Sequence, residues 1–132
     1  MAAVWGYGTG LDMTRRDLQA RAKDKRHPWD LGKNFEGAAV FSALTPARDF
    51  TPARQRIRLE VNGALRQDAP ISDMVWSIPE LIADLSHYYH LAPGDLIMTG
   101  TPAGVGAVAE GDRLAGEVEG LEPVELTIGP AQ

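Results

Sequence analysis

Asp12, Gln19, Lys33 and the neighbours Gly100 and Thr101 are the residues whose types and surroundings best suit chemistry. A carboxylate at the end of a strand is held rigidly and can ligate a metal ion or a polar substrate. The plainer role for Asp12 is to receive the first N–H groups of a following helix, and residue type alone favours it. Asp17 and Gln19 stand two positions apart on that helix, about 200° around its axis, so they cannot face one site. Capping accounts for Asp17, which leaves Gln19 to a ligand or to solvent. Lys33 follows Gly32, with Trp29 and Phe35 on either side. A lysine half-enclosed by aromatic rings can offer its cation to an enolate or carboxylate oxygen, although an ordinary exposed lysine reads the same way.

The run Leu96-Ile-Met-Thr-Gly-Thr-Pro-Ala-Gly-Val-Gly106 places three glycines, two threonines and a proline behind a short apolar stretch. Glycines let backbone N–H groups turn toward a bound anion, and threonine hydroxyls add donors. The run is neither a Walker A sequence nor a dinucleotide fingerprint, because no Lys-Ser/Thr follows and residues 107–112 do not begin a helix. A tight structural turn is the alternative. His87 and His90, three apart near a helix end, have a spacing compatible with metal ligation, yet histidines there are commonly just favourable with the helix dipole. The basic residues from Arg15 to Arg26 are interleaved with Asp17 and Asp24 and read as a solvated face.

The elements that must position these residues can be drawn from pattern. Residues 4–12 read as a glycine-rich strand ending on Asp12. Thr14 and Asp17 suggest a helix cap, with a helix from Arg15 to about Lys25 that turns Leu18 and Ala22 inward. His27-Pro28 ends it. Arg56 to Val61 alternates polar and apolar side chains, Asn62-Gly63 is a type I′ turn signal, and residues 64–67 return as the partner strand. Ser77 and Glu80 form a capping box for a helix whose face is Ile78, Leu81, Ile82 and Leu85. Pro93-Gly94 turns the chain into an apolar strand at residues 96–99. Strands follow at 113–119 and 124–128. Two main helices among six or seven strands, without regular βαβ alternation, predict an α+β fold with a mostly antiparallel or mixed sheet.

At 132 residues the chain is about one domain long. Its net charge of −5, from 18 acidic and 13 basic side chains, argues against a nucleic-acid backbone as the main partner. The absence of cysteine excludes disulfides, thiolate nucleophiles and cysteine metal sites. No apolar run approaches the roughly 18 residues of a membrane helix, and no secretory signal opens the chain, so a cytoplasmic location and no membrane partner are expected.

The order of the motifs is more specific than any one of them. Leu11-Asp-Met-Thr-Arg-Arg-Asp-Leu-Gln19, Pro28-Trp-Asp-Leu-Gly-Lys-Asn-Phe35, Val61-Asn-Gly63 and Gly94 to Gly106 together resemble the fumarylacetoacetate hydrolase family. The branch most similar is that of acylpyruvases and fumarylpyruvate hydrolases. The resemblance runs along essentially the whole chain and implies a mixed β-sheet roll of the fumarylacetoacetase C-terminal type, as one domain over residues 1–132.

It also implies a Mg²⁺ or Mn²⁺ cofactor, a small 2-oxo acid substrate, and carbon–carbon bond cleavage by hydrolysis or decarboxylation. Asp12 becomes a metal ligand, Lys33 the cation that steadies the enolate, and Gln19 a substrate-side hydrogen bonder. Gly100 and Thr101 become the carboxylate-binding loop. A homodimer is implied as well. A hard, oxygen-rich site suits these two metals and the missing cysteines. The family pattern further calls for a Glu-x-Glu pair upstream of Asp12, and in this branch a His-x-x-Glu dyad. Only eleven residues precede Asp12, none of them acidic or histidine. The expectation is therefore an N-terminally truncated, C-terminal portion with impaired activity. The alternatives are a non-catalytic protein that binds small carboxylates, and a subunit completed by a glutamate-bearing partner.

Overall fold

A computed structural model describes residues 3–130. Among these residues eight strands run in chain order: β1 (Gly6–Tyr7), β2 (Gly10–Asp12), β3 (Ala39–Phe41), β4 (Thr45–Pro46), β5 (Arg56–Val61), β6 (Ala64–Pro70), β7 (Arg113–Val118) and β8 (Val124–Thr127). The α-helices are α1 (Arg16–Asp24), the single turn α2 (Asp30–Lys33) and α3 (Ile78–Leu85), with a 3₁₀ turn at Ile71–Asp73. All ladders among the described residues are antiparallel: a four-stranded sheet in the order β6-β5-β7-β8, and two short pairs, β1-β4 and β2-β3. The α+β class holds, and the antiparallel option is the one realised.

The predicted hairpin forms as its turn chemistry requires. Asn62 and Gly63 have φ of 53° and 75°, the left-handed pair of a type I′ turn. The Asn62 side chain also reaches the next strand, donating to Asp112 at 2.8 Å and accepting from the Arg113 amide at 2.9 Å. One feature of the hairpin escapes the pattern. Leu59 faces Gln67 while Glu60 faces Leu65, so Arg66 is an extra residue, a β-bulge in β6.

Alternation along β7 buries Leu114, Gly116 and Val118 and exposes Arg113, Ala115 and Glu117. Leu114 joins Leu11, Val61 and Val124 in the core. Gly116 is the close-approach point: a Cβ there would lie 2.9 Å from Val124 and 3.2 Å from Leu11. The missing side chain lets β2 lie over the sheet, with Leu11 buried and the next residue, Asp12, turned outward.

Three expectations need correction. The strand expected over residues 4–12 is two pieces, because Thr9 leaves the ladder to exchange hydrogen bonds with Ser42. Thr14 does not cap α1; the cap position is Arg15, with no side-chain bond, and Leu18 and Ala22 are only half-buried. Residues 96–99 form no strand, since no neighbouring strand hydrogen-bonds to them among the described residues, and Leu96 stays exposed. The second cap is as expected. Ser77 and Glu80 bond reciprocally, and Pro79 sits in the first turn of α3.

Candidate functional site

Asp12 ends β2, where pairing with Ala39 and the burial of Leu11 fix its backbone. Lys33 arrives from α2. That turn packs tightly on α1: a Cβ on Gly32 would come within 3.1 Å of the Gln19 amide nitrogen, and the Gly32 carbonyl accepts from the Arg15 amide at 2.9 Å. Glycine at position 32 is thus what lets Lys33 approach the end of β2. There its ammonium donates to the Asp12 carboxylate, to the Thr14 hydroxyl at 3.0 Å and to the Met13 carbonyl at 3.5 Å. Three acceptors from three consecutive residues converge on one cation. The pair is 33% and 52% exposed, so its contribution to stability is on the order of 0–1 kcal/mol, and a ligand can reach both groups.

The aromatic neighbours of Lys33 take other partners than the sequence suggests. The Arg15 guanidinium stacks 4.4 Å from the Phe35 ring centre, and the Lys23 ammonium lies 4.8 Å from that of Trp29. Gln19, on α1, accepts from Arg16 at 3.3 Å. Its backbone abuts Gly32, yet its side chain makes no hydrogen bond to Asp12 or Lys33 among the described residues.

Thr101 and Gly100 lie in an exposed, irregular segment tied to the far edge of the sheet. Gly100 has φ of 113° and open space around it, as an anion-facing turn needs. The Thr101 hydroxyl accepts from the Gln67 amide at 2.8 Å, and the Pro102 carbonyl accepts from the same nitrogen at 2.6 Å. Met98, just upstream, packs on Gly10 of β2: its sulfur lies 3.3 Å from where a Cβ on Gly10 would be. The loop therefore passes beside the strand that carries Asp12. No hydrogen bond joins Thr101 to Asp12 or Lys33 among the described residues.

Pattern reading missed two groups. Thr14 is an acceptor for Lys33 rather than a cap, and Gln67 is a buried anchor for the Thr101 loop. Strict alternation from the Asn62-Gly63 turn could not reveal Gln67, because the bulge at Arg66 shifts the phase.

As a metal site, the donor set is right in kind but small. Asp12 offers a hard carboxylate, but no three His, Asp or Glu side chains gather in a metal-holding cluster among the described residues. The sequence has a Glu-x-Glu run downstream, Glu117-Val118-Glu119, but Glu119 is occupied by the Arg56 amide at 2.9 Å and by Arg58. A cleft of about 800 Å³ lies elsewhere, between the 47–53 loop and the start of α3, with Tyr7, Phe50, Met74 and Ile78 in its walls. Its ionic groups are already engaged, Arg48 with Asp49 and Glu80 with Ser77. The chemistry-bearing residues point to the Asp12–Lys33 cluster rather than to this cleft.

The sequence profile of the fumarylacetoacetate (FAA) hydrolase C-terminal family matches residues 1–129. A fumarylpyruvate hydrolase of Ralstonia sp. is 52% identical over 129 residues, which is 98% of this chain and 67% of that protein. The mitochondrial oxaloacetate tautomerase FAHD1 of Rattus norvegicus is 44% identical over 97% of this chain and 58% of its own length. Among solved structures, a Pseudomonas aeruginosa fumarylpyruvate hydrolase in complex with Mn²⁺ and pyruvate superposes with a TM-score of 0.93 at 43% identity, covering 98% of this chain and 56% of that one. The chain spans between about half and two thirds of the length of the relatives it matches.

Proposed function

Because this chain belongs to the fumarylacetoacetate hydrolase family, we propose that it carries part of the active site of a divalent-metal enzyme acting on small 2-oxo acids. Acylpyruvates or fumarylpyruvate are the substrates and hydrolysis of a carbon–carbon bond is the reaction. The observation that carries this reading is the convergence of Lys33 on Asp12 and Thr14 at the open end of β2.

Asp12 is one ligand of Mg²⁺ or Mn²⁺, held by the buried Leu11 beside it. Such an ion, when bound, supplies Lewis-acid stabilisation for negative charge on the 2-oxo and carboxylate oxygens. Lys33 places a second positive charge beside the same oxygens and lowers the cost of the enolate. Gln19 supplies a hydrogen bond on the substrate side, and Gly100 and Thr101 bind the substrate carboxylate. The relative that tautomerises oxaloacetate supports a proton transfer next to the 2-oxo group as the second reading, because it needs the same enolate stabilisation. Decarboxylation is a third use of that site. The small donor set among the described residues supports impaired activity of these 132 residues alone, or non-catalytic carboxylate binding. Homodimerisation and a cytoplasmic location complete the proposal. The exposed Val75, Trp76, Tyr88 and Tyr89 support a covered face.

Paramagnetic Mn²⁺ tests the site even if it binds weakly. At substoichiometric Mn²⁺, the amide signals of Asp12, Thr14 and Lys33 should broaden first, and Asp12→Asn should abolish the effect. Broadening centred elsewhere would displace the metal from Asp12. Calorimetry should show only weak Mg²⁺ binding; tight, stoichiometric binding or pyruvate release from an acylpyruvate by this chain alone would overturn the impairment.

A further inference from the structure

Gln67 is one of two polar residues buried to below a tenth of their surface among the described residues, at 6% exposure. It lies on β6, an edge strand of the four-stranded sheet, immediately after the bulged Arg66. The two residues form a docking point for the glycine-threonine loop. A Cβ on Gly104 would lie 1.9 Å from the Arg66 carbonyl oxygen, so the loop backbone is seated directly on the bulge. Gln67 fills the same junction with two bonds from one nitrogen, to Thr101 Oγ1 at 2.8 Å and to the Pro102 carbonyl at 2.6 Å.

The second bond decides the chemistry of the first. A carbonyl oxygen only accepts, so the Gln67 atom facing Pro102 must be the NH₂. One of its hydrogens goes to Pro102 and the other to Thr101, whose hydroxyl must therefore accept. A hydroxyl that accepts from an amide keeps its own hydrogen to donate, and donation is what a carboxylate requires. Thr101 is exposed, so a ligand oxygen can take that hydrogen.

We infer that Gln67 is a positioning residue which holds the Thr101 loop on the β6 bulge and fixes the Thr101 hydroxyl as a donor to a bound carboxylate. This rests on the reading of Thr101 as a carboxylate binder. Gln67 touches no substrate in this account; it acts through Thr101.

The test uses the full 132-residue chain and oxalate as the probe, with affinity followed by amide chemical shifts. Gln67→Glu keeps the shape, and its carboxylate, measured at a pH where it is ionised, can only accept and draws the Thr101 hydrogen to itself. It should weaken oxalate about tenfold, as should Thr101→Val, while Thr101→Ser should retain binding. The two losses should not add: Gln67→Glu with Thr101→Val should bind no worse than either single variant, because both remove the same hydrogen. Gln67→Met, which carries no charge, should lose affinity severalfold and release the amides of residues 100–104 to faster hydrogen exchange. Oxalate affinity within twofold of the parent in Gln67→Glu or Gln67→Met, while Thr101→Val loses it, would overturn the inference and leave the carboxylate reading standing. No response of the parent chain to oxalate, or no effect of Thr101→Val, would instead overturn the carboxylate reading and the inference with it.

Discussion

Lys33 has three acceptors at hand, Asp12, Thr14 and the Met13 carbonyl, yet the cluster is open enough that folding gains little from it. A half-exposed cation pinned to a rigid carboxylate is better suited to receiving a ligand oxygen than to stabilising the chain. Thr9 makes the contrasting case. Its backbone is fully used by Ser42, but its hydroxyl is 3% exposed as part of the residue and has no hydrogen-bond partner among the described residues. A buried hydroxyl without a partner costs free energy that an isosteric methyl does not. Thr9→Val should therefore raise stability by about 1 kcal/mol, seen as a higher urea midpoint with an unchanged slope. A lower midpoint would show that the hydroxyl is satisfied in solution.

Helix α3 and the glycine-threonine loop show how far local chemistry reaches among the elements. The Ser77–Glu80 capping box is coded within four residues, and it forms as its sequence predicts. Ser77→Ala should cost about 1 kcal/mol, read from thermal unfolding. An unchanged melting temperature would mean that α3 is held by other contacts. The loop depends on distant residues instead. Gly104 has φ of 107° and meets the Arg66 carbonyl, so Gly104→Ala must lift the loop from the bulge. Faster hydrogen exchange at residues 100–104, with β5 and β7 unaffected, is the expected result, and unaltered exchange would refute the docking. Residues 96–99 look like a strand in sequence and are not one, because strand formation requires a neighbouring edge as well as apolar residues.

For the whole molecule, acid should loosen the fold through three carboxylates held below their ordinary values. Asp68 is lowered first by its hydrogen bond from Arg56, Glu80 by the Ser77 hydroxyl and then the Ser77 amide, and Asp112 by the Ala109 amide and then the Asn62 side chain. Each has a folded pKa below its unfolded one, near 3.8 for aspartate and 4.5 for glutamate. Their stabilisation is present above those values and is lost as pH falls through the lower folded ones. The urea midpoint should thus hold steady from pH 7 to about 5 and decline below pH 4. Asp112→Asn should flatten part of that decline, since it removes the carboxylate that joins the hairpin turn to the start of β7. A midpoint that rises with acid would contradict all three assignments.

The sequence by itself determined the features whose causes lie within a few residues of one another. These are the Asn62-Gly63 turn, the Ser77–Glu80 cap, the strand at residues 56–61 with its returning partner, and the ordered motifs that place the chain in its family. Only the tertiary structure decided which groups meet. Lys33 reaches Asp12 because Gly32 lets α2 close on α1 and Gly116 lets β2 lie on the sheet. Gln67 reaches Thr101 because a bulge shifts β6 by one residue. Those encounters depend on register and on the absence of a Cβ at a contact, quantities set by packing between segments far apart in the chain.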